Sequence, residues 1–309
     1  MQIVFMGSGT IACPSLRALM ASRDDTVVGV VIRPERPRGR GLKVHVCPVT
    51  VTAGGITKVL AMADVNSADS VEQLRNLKPD VVVIVAFGQF LKTPVLRLAP
   101  YGCVNLHPSL LPKYRGAAPI PRAIAGGEQI TGVSTMLINE RMDAGDILLQ
   151  REVAVEDADT GGSLQDRLAE EGARLLVDTM TLIRTGTAQR RPQVDGDATF
   201  APILKKADGR IDWTMPAVQI HNRVRAFNPW PGSICEVPAG SGAFLKVLTT
   251  GVEDGKGLAP GMVLEWRGSG PLIQAGDKAV RLIAVQPENR KAMNGQAYMC
   301  GHQAPECFG

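Results

Sequence analysis

The segment from Gly102 to Gly116 holds the residue types and spacings best suited to chemistry. Asn105 and His107 lie two positions apart in an apolar run that ends at Pro108. Because side chains alternate along a strand and proline cannot donate to a sheet ladder, both residues should share one face at a strand end. An amide and a titratable ring placed there can donate hydrogen bonds to a substrate, which indicates a site rather than packing.

A second acidic segment follows the next apolar run, where Asp143 and Asp146 flank Gly145. One interpretation is ordinary turn chemistry, in which aspartate caps its own backbone. The other places Asp143 beside His107, on the assumption that both follow the carboxyl ends of neighbouring strands, where α/β sheets gather ligands. With Asn105, these residues form a set without a Ser or Cys nucleophile. That set suits acyl transfer to an amine: the amide and a protonated imidazole bind the oxyanion, and the carboxylate holds the ring and takes or relays the amine proton.

The elements that must position these residues form an α/β pattern in the first part of the chain. Continuous apolar runs alternate with helical segments, which is typical of a parallel sheet covered on both faces. The predicted strands span 3–6, 27–32, 81–86, 104–106 and 133–138, and the predicted helices span 11–20, 71–77 and 164–183.

The character of the sequence changes after Gly186. A polar stretch with proline and glycine predicts a linker at 187–203, between a first domain at 1–186 and a second at 204–309. The second domain contains one predicted helix, 216–225, and short apolar runs between turns, which is the pattern of a small β-barrel or sandwich. Those runs are 244–248, 262–266, 272–275 and 279–284.

Composition limits the function classes. The 309 residues are 45% hydrophobic and 21% charged, which is typical of a soluble globular protein, and no apolar run is long enough to span a membrane. Six cysteines without a CxxC pair favour reduced thiols and a cytoplasmic location. Cys300, His302 and Cys307 lack a fourth ligand and tight spacing, so no metal site is predicted.

The first turn offers a competing function. Gly7-Ser8-Gly9-Thr10-Ile11-Ala12 follows a predicted strand and matches the dinucleotide fingerprint G-x-G-x-x-A. Arg33 stands where an acidic residue usually ends the second strand, which would suit the 2′-phosphate of an NADP-dependent oxidoreductase. The alternative is a tight strand–helix turn that binds no dinucleotide. The Asn105–His107 pair favours this alternative, because hydride transfer does not require it.

A basic loop runs from Arg33 to Lys43, with five positive charges and one negative charge among prolines and glycines. A solvated surface loop is the simplest interpretation. However, this density of charge, in a protein of net charge +4, favours contact with nucleic acid or another polyanion, because phosphate contacts dominate such binding. Lys205, Lys206 and Arg210 are candidates to extend the patch.

The string Asn105-Leu106-His107-Pro108-Ser109-Leu110-Leu111-Pro112, followed by Tyr114-Arg115-Gly116, resembles the signature of the folate-dependent formyltransferases. Met142-Asp143-Ala144-Gly145-Asp146 resembles their catalytic aspartate turn. The resemblance implies a Rossmann-like parallel-sheet domain and 10-formyltetrahydrofolate as formyl donor, with no metal. The implied catalytic residues are Asn105, His107 and Asp143, and the implied carrier contacts are Ser109, Leu110, Leu111, Pro112, Phe87, Gly88 and Leu91.

Further segments resemble the members of this family that act on methionyl-tRNA. The basic loop resembles their tRNA-gripping insertion, and 208–213 and 225–232 resemble the start of their OB-like β-barrel domain. The implied function is formylation of the methionine amine on initiator methionyl-tRNA in translation initiation, by a monomer. The implied tRNA contacts are Arg36, Arg38, Arg40, Lys43, Lys205 and Lys206.

Two points qualify the resemblance. Some amino-sugar N-formyltransferases share a related C-terminal domain, so they remain the alternative within the family. The first turn, Gly7-Ser8-Gly9, also departs from the Gly-Thr-Pro that the family usually carries, which affects local contacts there rather than the chemistry.

Overall fold

The computed structural model describes residues 1–35, 37–38, 43–44 and 46–309, and gives only the backbone at 37–38 and 43–44. The chain packs into two compact units, each built from three stretches. The first unit comprises Met1–Gly116, Ile130–Ala154 and Gln165–Ala201, and the second comprises Ala117–Gln129, Val155–Leu164 and Pro202–Gly309. The predicted domain boundaries, at 186 and 204, stay a prediction. The two compact units are defined by contacts between residues, and such units need not coincide with domains that are continuous in sequence.

The first unit is built on a seven-stranded sheet with the order β5-β2-β1-β6-β7-β8-β9. Neighbours from β5 to β7 pair in parallel, and β8 and β9 pair antiparallel. Its strands are β1 (Gln2–Gly7), β2 (Thr26–Ile32), β5 (Val59–Ala61), β6 (Val81–Val85), β7 (Cys103–His107), β8 (Ile130–Leu137) and β9 (Ile147–Ala154), and a separate pair is β3 (Pro37–Arg38) with β4 (Lys43–Val44).

Helices alternate with the strands of this sheet along the chain, as the alternation of apolar runs and helical segments predicts. The central strand β6 is buried along its whole length, which explains its unbroken run of valine and isoleucine. The helices are α1 (Ala12–Met20), α2 (Pro48–Ala53), α3 (Ala68–Asn76), α4 (Thr93–Leu96) and α6 (Gly161–Thr185), of which α6 belongs to the first unit from Gln165 onward.

The direction of β8 corrects the sequence analysis. Val104 faces Leu137 and His107 faces Ser134, so β8 runs antiparallel to β7 and ends beside the start of β7. The assumption that His107 and Asp143 follow carboxyl ends at one edge of the sheet was therefore wrong. Apolar periodicity reports burial but not strand direction, which is why the sequence alone gave the wrong orientation.

The second unit contains an antiparallel sheet with the order β10-β11-β14-β13-β12, with β15 paired to β14. Its core includes Trp213, Leu245 and Val280. An α/β domain followed by an antiparallel β domain confirms the predicted fold class. The elements are α5 (Pro119–Ala125), α7 (Ala217–Ala226), β10 (Ser233–Glu236), β11 (Phe244–Glu253), β12 (Val263–Arg267), β13 (Gly270–Gln274), β14 (Ala279–Pro287), β15 (Met293–Asn294) and α8 (Gly295–Cys300).

The predicted linker is packed rather than free over much of its length. Arg191 exchanges backbone hydrogen bonds of 2.8 and 2.9 Å with Ile147 at the start of β9. Phe200 bridges to Arg115 in parallel, and the short 3-10 helix Asp195–Asp197 lies between these contacts. Residues up to Ala201 therefore belong to the first unit.

All six cysteines carry free thiols, as the sequence predicts. Within the described ranges, none of the helices combines the length and the apolar character needed to cross a bilayer.

Candidate active site

His107 ends β7, and its side chain is 6% exposed. Its Nε2 lies 3.0 Å from the carbonyl oxygen of Tyr114. Because a carbonyl only accepts, Nε2 must carry the hydrogen, and Nδ1 is the ring nitrogen left to act on a substrate. That atom lies 3.8 Å from Oδ2 of Asp143, which is close enough for an ion pair when the ring is protonated.

Asp143 reaches the histidine through a tight turn rather than from a strand end. Its φ of 49° lies in the left-handed region, and its Oδ2 accepts a 2.8 Å hydrogen bond from the backbone N–H of Gly116. A Cβ at Gly145 would lie 1.6 Å from the carbonyl oxygen of Leu137, so only glycine fits there. These constraints fold the turn back toward β7 and bring Asp143 to His107.

Asn105 lies two residues before His107 on the same strand and is half-buried, between Ile84 of β6 and Met136 of β8. Across the ranges that the structure describes, its side-chain amide has no hydrogen-bond partner. A polar amide in a largely buried strand is normally satisfied, so this donor is available to a ligand. The structure thus places His107 beside Asp143 and keeps Asn105 two positions before His107 on β7.

The segment after His107 has two kinds of residue. Ser109 is fully buried and its hydroxyl donates to the carbonyl of Lys113 at 2.6 Å, while Leu111 packs against Met136 and Ile147. These two side chains shape the segment from inside. Leu110 and Pro112 are half-buried, so they have surface left for a carrier.

The loop after β6 also contains both buried residues that support it and an accessible position. Phe87 and Leu91 are 1% and 3% exposed and pack in the core of the sheet, so their side chains support the loop. Gln89 fixes the loop through hydrogen bonds to the backbone of Met62 and Val65. Gly88 has a φ of 74° and an exposed backbone, so it offers the accessible edge of this loop.

The basic residues are only partly described. Arg36 and Arg40 lie outside the described residues, and Arg38 and Lys43 are described only as paired backbone in β3 and β4. Arg33 donates its backbone N–H to Oγ of Ser8 at 3.1 Å, which ties the start of the loop to the atypical first turn. Lys205 and Lys206 are exposed in the second unit.

Several residues around the site were missed from the sequence. Gln193 and Asp195 both contact the guanidinium of Arg115, which is only 3% exposed. Hydrogen bonds from Arg141 and Arg115 hold the pKa of Asp195 below its ordinary value of 3.8. The polarity of 187–203 was interpreted as that of a linker, and nothing local distinguishes a solvated glutamine from one that binds a distant turn.

Family models match both parts of the chain. A model described as "Formyl transferase" matches residues 1–180, and one described as "Formyl transferase, C-terminal domain" matches residues 203–303. A methionyl-tRNA formyltransferase of Moorella thermoacetica is 43% identical over 305 residues, covering 98% of this chain and 96% of the relative. One from Acetivibrio thermocellus is 41% identical over 309 residues, covering 99% and 98%.

Solved structures share the fold at lower identity. An N-formyltransferase from Helicobacter canadensis, in complex with folinic acid and dTDP-3-aminofucose, has a TM-score of 0.66 at 18% identity, covering 91% of this chain and 98% of that one. HypX from Aquifex aeolicus, in complex with tetrahydrofolic acid, has a TM-score of 0.61 at 19% identity, covering 97% of this chain and 47% of that one.

The structural neighbours establish a shared fold and no more, because their identity is low. The family models and the full-length relatives go further, since they match the α/β part and the antiparallel β part in the same order. This chain therefore belongs to the methionyl-tRNA formyltransferase family.

Proposed function

We propose that this protein transfers the formyl group of 10-formyltetrahydrofolate to the methionine amine of initiator methionyl-tRNA, in support of translation initiation. Membership of the family supports the reaction and the tRNA substrate. The observation that carries the mechanism is the cluster of Asn105, His107 and Asp143, which has an available amide and a paired imidazole but no nucleophile. Such a cluster suits direct attack of the amine on the formyl carbon.

The oxyanion is the species that the site must stabilise. When the amine adds to the formyl carbon, the carbonyl oxygen gains the electron pair of the broken C=O π bond. The side-chain amide of Asn105 and the Nδ1–H of protonated His107 are the proposed donors to that oxygen. Preorganised donors of this type contribute most in a site that water enters poorly, and His107 is almost fully buried.

The amine proton needs an acceptor. Addition leaves the new C–N bond with a positively charged nitrogen, and Asp143 is the proposed base that takes or relays its proton. One carboxylate oxygen is held by the N–H of Gly116, which fixes the direction of the other. Collapse of the oxyanion then breaks the bond to the tetrahydrofolate nitrogen, which receives a proton as it leaves.

For the carrier, we propose contacts along the two loops that follow β6 and β7. Leu110 and Pro112 supply half-buried apolar surface, and Gly88 supplies accessible backbone. The buried side chains of Ser109, Leu111, Phe87 and Leu91 act by shaping these loops rather than by touching the carrier.

For the tRNA, we propose electrostatic contacts by the basic loop. Its positive charges are concentrated in a short stretch, and phosphate contacts release counterions, so binding should weaken as salt rises. The proposed contacts are Arg36, Arg38, Arg40, Lys43, Lys205 and Lys206. A cytoplasmic monomer is the form that we propose to carry out this reaction.

The experiment that tests the function is a formyl-transfer assay. The protein is incubated with a labelled formyl donor and, in parallel, with charged initiator tRNA, uncharged initiator tRNA or an amino-sugar nucleotide. Label on the charged tRNA alone is the expected result. Label on the sugar nucleotide and none on the tRNA would refute the tRNA function and favour the amino-sugar alternative.

A further inference from the structure

Gln193 lies in the stretch that the sequence presents as a linker, yet its side-chain amide hydrogen-bonds to both active-site loops. It also makes a 3.9 Å contact with Sδ of Met136 on β8. Its Nε2 donates to the carbonyl oxygens of Asp143 and Gly145, at 2.9 and 2.8 Å. Its Oε1 accepts from Nε of Arg115 at 3.0 Å. One amide thus joins two separate loops.

We propose that Gln193 is a positioning residue for the formyl transfer, because its amide ties the turn of Asp143 to the segment that orients His107. This inference rests on the proposed catalytic roles of those two residues.

The turn that carries Asp143 contains a strained residue. Asp143 has a φ of 49°, a conformation that costs about 1 kcal/mol or more for a residue with a Cβ. Such a conformation persists when surrounding contacts over-determine it. Gln193 provides two of those contacts, one to the carbonyl of Asp143 and one to the carbonyl of Gly145, and so holds the backbone of the turn from the strained residue onward.

The oxygen of the Gln193 amide contacts the segment Tyr114–Gly116 through Arg115. Arg115 stands between Tyr114, whose carbonyl accepts from Nε2 of His107, and Gly116, whose N–H donates to Asp143. A displacement of Arg115 therefore moves the hydrogen-bond partners of both proposed catalytic residues. Gln193 contacts this segment directly, so it acts through these residues rather than on the substrate.

Gln193 is itself held in place by the stretch of chain that follows it. Residues 193–201, which we call the strap, contact the same segment repeatedly. Thr199 accepts from the N–H groups of Tyr114 and Arg115 at 2.9 Å each, and Ala201 donates to the carbonyl of Arg115 at 2.7 Å. Asp195 adds an ion pair of 3.0 Å to the buried guanidinium of Arg115. These contacts fix the position of the strap, and therefore the position of the Gln193 side chain.

The test uses two substitutions at Gln193. Gln193→Met has a similar volume and removes every hydrogen bond of the amide, while Gln193→Glu keeps an acceptor for Arg115 and removes the donors to the turn. Both should lower kcat by about 10- to 100-fold, the effect of a small misplacement of reacting groups, with little change in KM for carrier or tRNA. Val194→Ala, at an exposed neighbour in the strap, is the matched control and should keep wild-type kcat.

A double-mutant cycle with Asp143→Asn separates positioning from general destabilisation. If Gln193 acts through Asp143, Gln193→Met should cost much less in the Asp143→Asn background than in the wild type. An equal fold-loss in both backgrounds, or a loss confined to KM, would overturn the proposal. Wild-type kcat in Gln193→Glu would also overturn it, because the donors to the turn would then be dispensable.

The same cycle distinguishes this proposal from the function on which it rests. Full turnover in the Gln193 variants beside a severely impaired Asp143→Asn would overturn the positioning role alone. Full turnover in Asp143→Asn would overturn the catalytic assignment of Asp143 and the positioning role with it. Thermal unfolding of each variant identifies any that does not fold, and if Gln193→Met fails to fold, the cycle is run with Gln193→Glu.

Discussion

Replacing Asp143 with asparagine exchanges one carboxylate oxygen for an amide NH₂ group and removes one charge from the proposed site. The substitution keeps the shape of the side chain and an oxygen that can still accept from the N–H of Gly116. It removes the negative charge that lies 3.8 Å from Nδ1 of His107. The protonated imidazole then loses its counter-ion, and the amine proton loses its base.

The size of the charge effect follows from that distance. At 3.8 Å, two unit charges attract by about 4 kcal/mol at the effective dielectric of a protein site and by about 1 kcal/mol in water. The side chains of His107 and Asp143 are 6% and 18% exposed, so the attraction should be closer to the value for a protein site than to the value in water. Since about 1.4 kcal/mol corresponds to a tenfold change in rate, kcat should fall by between about fivefold and about 1,000-fold, toward the larger value.

The assay is steady-state formyl transfer to charged initiator tRNA, with KM measured for both substrates. The loss should appear in kcat, because the ring charge and the base act in the transition state. Glu140→Gln is the matched control, since it makes the same charge change on an exposed residue of the same connection and should leave kcat unchanged. Wild-type kcat in Asp143→Asn, or an equal loss in the control, would refute the reasoning.

Four further results are expected. Asn105→Ala should lower kcat by about 100- to 1,000-fold, the usual effect of removing one oxyanion donor, and a loss seen only in KM would contradict that role. Gly145→Ala should cost about 1 to 3 kcal/mol of folding stability in denaturant unfolding, because its Cβ would meet the carbonyl of Leu137 at 1.6 Å, while Gly196→Ala, in open space, should be neutral. Burial lowers the pKa of His221 from 6.5, so the unfolded chain binds a proton that the folded chain does not; stability should fall as pH drops below 6.5, and a His221→Gln variant with the same pH slope would count against this explanation. Finally, KM for the tRNA should rise steeply with salt while KM for the carrier changes little, and parallel changes would argue against a phosphate-binding loop.

Local periodicity was enough to predict much of the first unit. The strand at Val81–Val85 and the long helix that ends at Thr185 follow from apolar patterns that neighbouring residues carry themselves. The shared face of Asn105 and His107 follows from alternation in β7, and their chemistry follows from residue type. These features depend on short-range order, which is what a single sequence records.

The rest depends on contacts between distant parts of the chain. Gln193 meets Arg115 across 78 residues, and no local pattern in the strap indicates that partner. The edge strand β9 was also missed, because Ile147–Ala154 mixes buried aliphatic residues with polar and charged ones. The antiparallel direction of β8 is likewise a property of the pairing and not of its own residues.

The second unit is built from three separate stretches of the chain, which affects both its folding during synthesis and its separation by proteolysis. Helix α5 packs against α7, and its Ile120, Ala123 and Ile124 are buried. A ribosome releases α5 long before it releases α7, so this apolar face stays uncovered until Ala217–Ala226 has emerged. A fragment that begins at residue 204 would contain α7 without the helix that covers it. The C-terminal unit is therefore a late product of synthesis that no single cut can separate intact from the rest of the chain.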